Sequence, residues 1–271
     1  MATGLQGCFG LSASSLGTFA GVFGLAFGVT QFFIGIGMDL YGLRRTVLTA
    51  FPLAIAGALL SAGAAIDAVD AVMTGELENA FCCTRPPGHH ATRNQAMGFC
   101  FFSNVAVAAK YACERHGVKR AAIIDFDVHH GNGTEDIVAG DERILMCSFF
   151  QHPFYPEGGS LKNDANLVNC PVPAYTKGMD VRELVEMMWM PRLEEHQPEM
   201  IFISAGFDAH REDDMGQLGL TEQDYAWMTD RIKSVAQRFA KGRIVSCLEG
   251  GYNLSALARS VEAQVRVLAA V

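Results

Sequence analysis

Charge is missing from the start of this chain: between residues 2 and 38 there is no Asp, Glu, Lys or Arg. That absence excludes an ordinary solvated domain surface there, and the apolar stretch from residue 11 to residue 38 is long enough to cross a bilayer. The opening also lacks a basic n-region, and its apolar run outlasts an h-region, which argues against a cleaved secretory signal. The eight cysteines form no CxxC pair and no framework spacing, so no disulfide scaffold is expected. Reduced thiols and a cytoplasmic active domain are expected instead, with Cys82 and Cys83 packing at a strand end. A basic excess is lacking as well: 29 acidic residues face 21 basic ones, and the net charge is −8. That balance gives no electrostatic grip on nucleic acid but suits a cationic substrate. No internal repeat and no low-complexity linker interrupts the remainder.

What is there falls into two parts. The short polar segment "DLYGLRR" comes after the apolar opening, and Thr46 to Ile66 is again free of charge. The pattern predicts an apolar helical hairpin with Arg44 and Arg45 in its cytoplasmic turn, associating with a membrane through residues 11–66. The stretch "GIGMDLYGLRRTV" resembles the short loop between two transmembrane helices of major-facilitator transporters. For the second half of the hairpin a soluble reading competes, an Ala-rich helix from Ala54 to Met73 packed on the domain behind it. Residues 1–63 are therefore taken as an apolar, transmembrane-like helical segment and residues 64–271 as a globular catalytic domain. Of the acidic residues only Asp39, and of the basic ones only Arg44 and Arg45, precede residue 64.

The globular part alternates short apolar runs with helical patterns. Helices are expected near 64–75, 103–116, 180–195 and 221–240, and strands in "AFCCT", "AAIIDFD", "RILMCSF", "MIFISAGFD" and "RIVSCLEGGY". Strands of this kind imply βαβ units and a parallel sheet covered on both faces. In such a sheet ligands bind beyond the carboxyl ends of the strands. The residues found there are "RPPGHHA", "DFDVHHGNG", "SAGFDAH" and "EGGYN", so His, Asp and Tyr gather on one edge.

Asp127 and His129 alternate along what reads as an extended segment and so share a side, and Asp208 ends another strand at the same edge. Two carboxylates and an imidazole make a three-ligand set with an open position, the pattern of a catalytic zinc, which would activate water and polarise a carbonyl. Asp125 lies one step deeper and is placed to orient a histidine. His89 and His90 can offer one general base and one electrostatic partner, and Tyr252, after two glycines, a hydroxyl for a developing oxyanion. Singly, a tandem histidine pair, a strand-end aspartate or a GGY turn has an ordinary structural explanation; together, and all at strand ends, they read as an amidohydrolase.

"RPPGHHA", "GFCFFSN", "IDFDVHHGNGT", "SAGFDAH" and "EGGYNL" resemble the signature segments of zinc-dependent histone deacetylases and acetylpolyamine amidohydrolases, from about Ala64 to the C-terminus. The resemblance implies Zn2+ on Asp127, His129 and Asp208, a catalytic pair His89 and His90, and Tyr252 on the acetyl carbonyl. It further implies that Asp125 partners His89 and Asn132 partners His90, the asparagine being like the class II group. Phe99 and Tyr155 would line a narrow channel with Leu218 at its rim, and K+ would lie against the main-chain carbonyls of Asp125, Asp127, His129, Ser148 and Phe149. The implied fold is a three-layer α/β, arginase- or deacetylase-like parallel sheet, here expected to lack its first strands because the apolar hairpin stands in their place. The implied substrates are acetylated proteins, acetylated polyamines or small acyl amides. The alternative is a membrane-tethered module that holds acyl ligands without cleaving them. Arginase-like chemistry, with two manganese ions, would need more carboxylates than "DFDVHHGNG" offers.

Overall fold

The structure is a computed structural model and describes Leu48, residues 52–157 and residues 165–270. The first helix and the turn of the expected hairpin, with the transporter-like loop, lie outside these residues. The chain divides into Met1–Gly57 with Val271 and a second compact unit, Ala58–Ala270; the second unit carries the sheet and the site.

The sheet arises from the apolar runs. Six strands are described: β1 (Asn79–Cys82), β2 (Ala121–Asp125), β3 (Ile144–Gln151), β4 (Leu167–Val172), β5 (Met200–Ala205) and β6 (Ile244–Leu248). They pair in parallel in the order β1-β6-β5-β2-β3-β4. Every residue of β2, β3, β5 and β6 is buried, as strands covered on both faces must be. The two-residue side-chain period sorts them cleanly. Ala122, Ile124, Leu145, Cys147, Ile201 and Ile203 enter one core, and Ala121, Ile123, Ile144, Met146, Met200 and Phe202 enter the other.

Helices cover both faces. On one side α1 (Pro52–Thr74) and α2 (Asn104–Arg115) supply small residues, Ala65, Val69 and Val72 from the first and Val105, Ala109 and Ala112 from the second. By length and composition α1 could span a membrane. Ala58, Ser61, Ala65, Val69 and Val72 recur at helical spacing and are all buried, so one face of the helix packs on the domain, while Leu53, Ile55, Leu59 and Leu60 are exposed on the rest of it. The other face is covered by α6 (Glu222–Phe239) and α7 (Leu254–Leu268) and by the helix from Gly178 to His196. The short α3 (Asn132–Val138) follows β2 and buries Val138 in the core of the first face.

Four elements differ from expectation, and one of them is α3, a helix of seven residues that the sequence pattern does not show. The helix predicted over 180–195 is α4 (Gly178–Leu184), a π turn at Val185–Trp189 and α5 (Met190–His196). Pro191 has no N–H to continue the α ladder, and Met190 N–H reaches back to Val185 O instead. The wider turn still seats Trp189 fully in the core. The strand β4 gives a poor sequence signal because Asn169 and Pro171 interrupt it. It lies at the sheet's edge, where a proline costs no ladder bond on the open side. The helix α7 is likewise absent from the sequence pattern; Asn253 caps it, its side chain accepting from Ala256 N–H at 3.0 Å.

Candidate active site

The ladder of β2 stops at Asp125, and the residues beyond it do not form the extended segment expected from the alternation. Asp125 Oδ1 accepts from Asp127 N–H at 3.1 Å, and Asp127 Oδ1 accepts from His129 N–H at 2.9 Å. Each aspartate thus turns the backbone two residues ahead of it. These consecutive turns aim Asp127 and His129 across the end of β5, from which Asp208 emerges. Asp208 Oδ1 accepts Val128 N–H at 3.0 Å, locking the two strand ends together.

Asp127, His129 and Asp208 converge, each offering one ligand atom within 4.8 Å of the others. His129 Nδ1 is 3.0 Å from Asp127 Oδ1 and 3.2 Å from Asp208 Oδ2. The second contact is off the hydrogen-bonding direction, so Asp208 Oδ2 is buried with no donor. Such an oxygen is costly unless a cation meets it. Burial works against the proton of His129, but the two carboxylates around it push its pKa up to about 10. Burial and then the charge of Asp127 push Asp208 up to about 6. The pocket is built for positive charge. Two glycines keep carbon out of it: a Cβ on Gly206 would lie 2.1 Å from Asp127 Oδ2, and one on Gly250 2.0 Å from Asp208 Oδ2. Two carboxylate oxygens and an imidazole nitrogen with room around them fit a zinc ion.

The two histidines stand beside this cluster on the loop after β1. His89 Nδ1 meets Asp125 Oδ2 at 3.0 Å, and its Nε2 lies 3.8 Å from Asp127 Oδ1. Burial opposes its proton, but the charges of Asp127 and Asp125 hold its pKa well above the usual histidine value. His90 Nδ1 is 2.9 Å from Asn132 Oδ1, whose amide nitrogen is directed at Met97 Sδ. Burial, and then the neighbouring His89, push His90 down to about 3. A neutral His90 facing a carbonyl oxygen must carry its proton on Nδ1, which leaves Nε2 as an acceptor. The rings of His89 and His90 are 4.0 Å apart. The pair is therefore split into one cationic and one neutral member.

A cleft of about 500 Å³ opens over the cluster, lined by His90, His129, Phe99, Phe154, Tyr155, Asp214, Met215 and Tyr252. Phe154 stacks on His129 at 5.3 Å, and Phe99 and Tyr252 face each other across the mouth at 6.4 Å. Phe99 takes a left-handed backbone, φ 65°, a strained conformation for an aromatic residue that turns its ring into the cleft. Burial, then the charges of Asp127 and Asp208, raise the Tyr252 hydroxyl and keep it protonated. Leu218 does not reach the rim. It is buried in the main core, and Met215 forms the cleft wall in its place because Asp213 Oδ1 accepts Met215 N–H at 3.0 Å and turns that loop inward. Asp213 Oδ2 also accepts from Tyr252 N–H and Asn253 N–H, at 2.7 and 2.9 Å. Neither Asp213 nor Glu249, which sits fully buried between β6 and Gly250, stands out in the sequence; both act on backbone N–H groups, which no residue pattern reveals. Ser148 and Phe149 are buried in β3, with Ser148 in register with Asp125.

Known proteins show a likeness consistent with this geometry. The chain is 41% identical over 203 residues to a histone deacetylase-like amidohydrolase of Pseudomonas aeruginosa, covering 72% of this chain and 53% of that one. It is 41% identical over 203 residues to a probable deacetylase of Archaeoglobus fulgidus, covering 73% and 56%. The crystal structure of the HDA15 HD domain matches with a TM-score of 0.74 at 35% identity, over 79% of this chain and 62% of that one. The chain spans about half the length of the two curated relatives. The sequence profile of the histone deacetylase domain matches residues 37–268. It takes in most of the loop read as transporter-like, and that likeness gains no support. With a match running through all six strands and every segment of the site, the chain belongs to the histone deacetylase domain family.

Proposed function

We propose that the chain is a zinc-dependent amidohydrolase that removes the acetyl group from acetylated lysine side chains or acetylated polyamines. The observation that carries this is the buried Asp127, His129 and Asp208 cluster, with its donorless carboxylate oxygen, at the floor of an apolar cleft shared with His90 and Tyr252. Zinc bound there would supply Lewis acidity, polarising the acetyl carbonyl and acidifying water. The chain's own residues do the rest. Phe99, Phe154, Tyr155 and Met215 bind the alkyl stem of the substrate and exclude water around the amide. His90, neutral and with Nε2 free, takes a proton from the attacking water. His89, held protonated by Asp125 and Asp127, stabilises developing negative charge, and His90, which lines the cleft, passes the proton it has taken to the leaving amine. The Tyr252 hydroxyl donates to the oxyanion as it forms. A potassium ion would lie where β2 and β3 run side by side at Asp125 and Ser148, and no step is assigned to it.

The test is turnover. Protein reconstituted with zinc is expected to release acetate from an acetyl-lysine peptide or from N-acetylputrescine, and His90→Ala to abolish it. A fully zinc-loaded, folded protein that releases no acetate from either substrate would overturn the reading.

A further inference from the structure

Glu249 has no part in that chemistry, yet it is a completely buried acid that pairs with no lysine or arginine among the described residues. Its partners are donors from elsewhere in the fold. Oε2 accepts Gly88 N–H at 2.7 Å and His89 N–H at 3.1 Å, and Oε1 accepts the Ser204 hydroxyl at 3.2 Å. The carbonyl side of His89 is held too, because His89 O accepts Gly133 N–H and Thr134 N–H, each at 3.0 Å.

The need for such a hold is topological. The histidine loop leaves β1, which among the described residues pairs with β6 alone, so the described ladder fixes it from one side. Glu249 is anchored where the sheet is firm: its own N–H donates to Ala205 O at 2.9 Å, and the next residue, Gly250, donates to Asp127 Oδ2 at 2.8 Å. One side chain thus connects the segment that touches a metal-ligand carboxylate to the segment that bears the histidines.

We infer that Glu249 is a positioning residue whose carboxylate holds the Gly88–His89 backbone and so sets both imidazoles over the metal cluster. The consequence for catalysis rests on the proposed deacetylase activity; the clamp itself does not. A glutamine can make the same three contacts, with Oε1 accepting both N–H groups and Nε2 donating to Ser204. An alanine can make none.

The experiment compares zinc-loaded wild type, Glu249→Gln and Glu249→Ala in two measurements, with zinc content and circular dichroism as controls. The first is amide hydrogen exchange at Gly88 and His89. It is expected to be slow in wild type and Glu249→Gln and at least about tenfold faster in Glu249→Ala. The second is acetyl-lysine peptide turnover. There kcat is expected to fall about thirtyfold to a hundredfold in Glu249→Ala with KM within about threefold, and to recover in Glu249→Gln. Unchanged exchange in Glu249→Ala overturns the clamp, whether or not any variant turns over. Loss of kcat in Glu249→Gln with its amides still protected overturns positioning in favour of a role for charge. A wild type without turnover defeats the deacetylase reading and leaves the exchange result to decide the clamp. Should Glu249→Ala not fold, Glu249→Asp, whose shorter arm cannot reach both N–H groups, is read in its place.

Discussion

Tyr252 is one of the few polar side chains that the cleft leaves half open, 37% exposed while its neighbours His90 and His129 are buried. Its hydroxyl stays protonated because burial and two carboxylates oppose its loss. Tyr252→Phe should therefore lower kcat by about a hundredfold to a thousandfold at nearly constant KM, the usual cost of one oxyanion donor, read by steady-state kinetics on an acetyl-lysine peptide. Gly206 tests the candidate metal pocket instead. A methyl there would meet Asp127 Oδ2 at 2.1 Å and Asp127 Cα at 2.5 Å, and backbone cannot step aside as a flexible side chain does. Gly206→Ala should cost about 1–3 kcal/mol in urea unfolding and lower the zinc content of the purified protein; a fully loaded variant of wild-type stability would show that the carboxylate has slack. At this scale the sequence is legible where residue type and strand end coincide, as for Asp127, His129 and Asp208. Leu218 and Met215 are both apolar residues on one loop, and bonds to its backbone, from Asp213 beside Met215 and from Gln151 and Thr176 beside Leu218, decide which of them faces the cleft.

Elements are held by their neighbours, and the sequence shows them in proportion to how regular those neighbours let them be. The central strands β2, β3 and β5 are readable because burial on both faces demands unbroken apolar runs. The edge strand β4 tolerates Asn169 and Pro171 and so escapes notice, and the π turn at Val185–Trp189 is a local answer to one proline. The join between α2 and β3 is ionic and thus pH-dependent. Asp141 bonds Arg143 through both oxygens and meets Lys110 at 2.6 Å. Hydrogen bonding from Arg143 is the first cause that holds its carboxyl well below the usual range. A carboxylate whose pKa is lower folded than unfolded stabilises the fold above the unfolded value, about 3.8, and stops doing so as pH falls through the folded one. Wild type should therefore melt above Asp141→Asn at pH 7, the two melting temperatures converging as the pH is taken below about 4. A gap that persists undiminished into acid would assign the effect to packing.

At the scale of the whole molecule, two halves of one sheet meet at the cluster of Asp127, His129 and Asp208. These candidate ligands come from the ends of β2 and β5, the histidines from the loop after β1 and the tyrosine from the loop after β6, so the cluster exists only when strands distant in sequence are paired. The fold carries a cost for this, because Asp127 and Asp208 are brought together out of water whether or not a cation is present. Zinc should bind the folded chain and not the unfolded one, and so report on the assembly of the sheet. Stripping the protein with a chelator should lower its melting temperature, and restoring zinc to about a hundred times its Kd should raise it by roughly 5–10 °C, the equivalent of about 2.7 kcal/mol in a domain of this size. Asp208→Asn supplies the control. It replaces the donorless oxygen's full charge with a neutral amide, so it should melt at or above the stripped wild type and gain little from added zinc. If instead zinc shifts both proteins equally, the ion binds somewhere other than this cluster; if it shifts neither, the three side chains meet for a reason other than a metal.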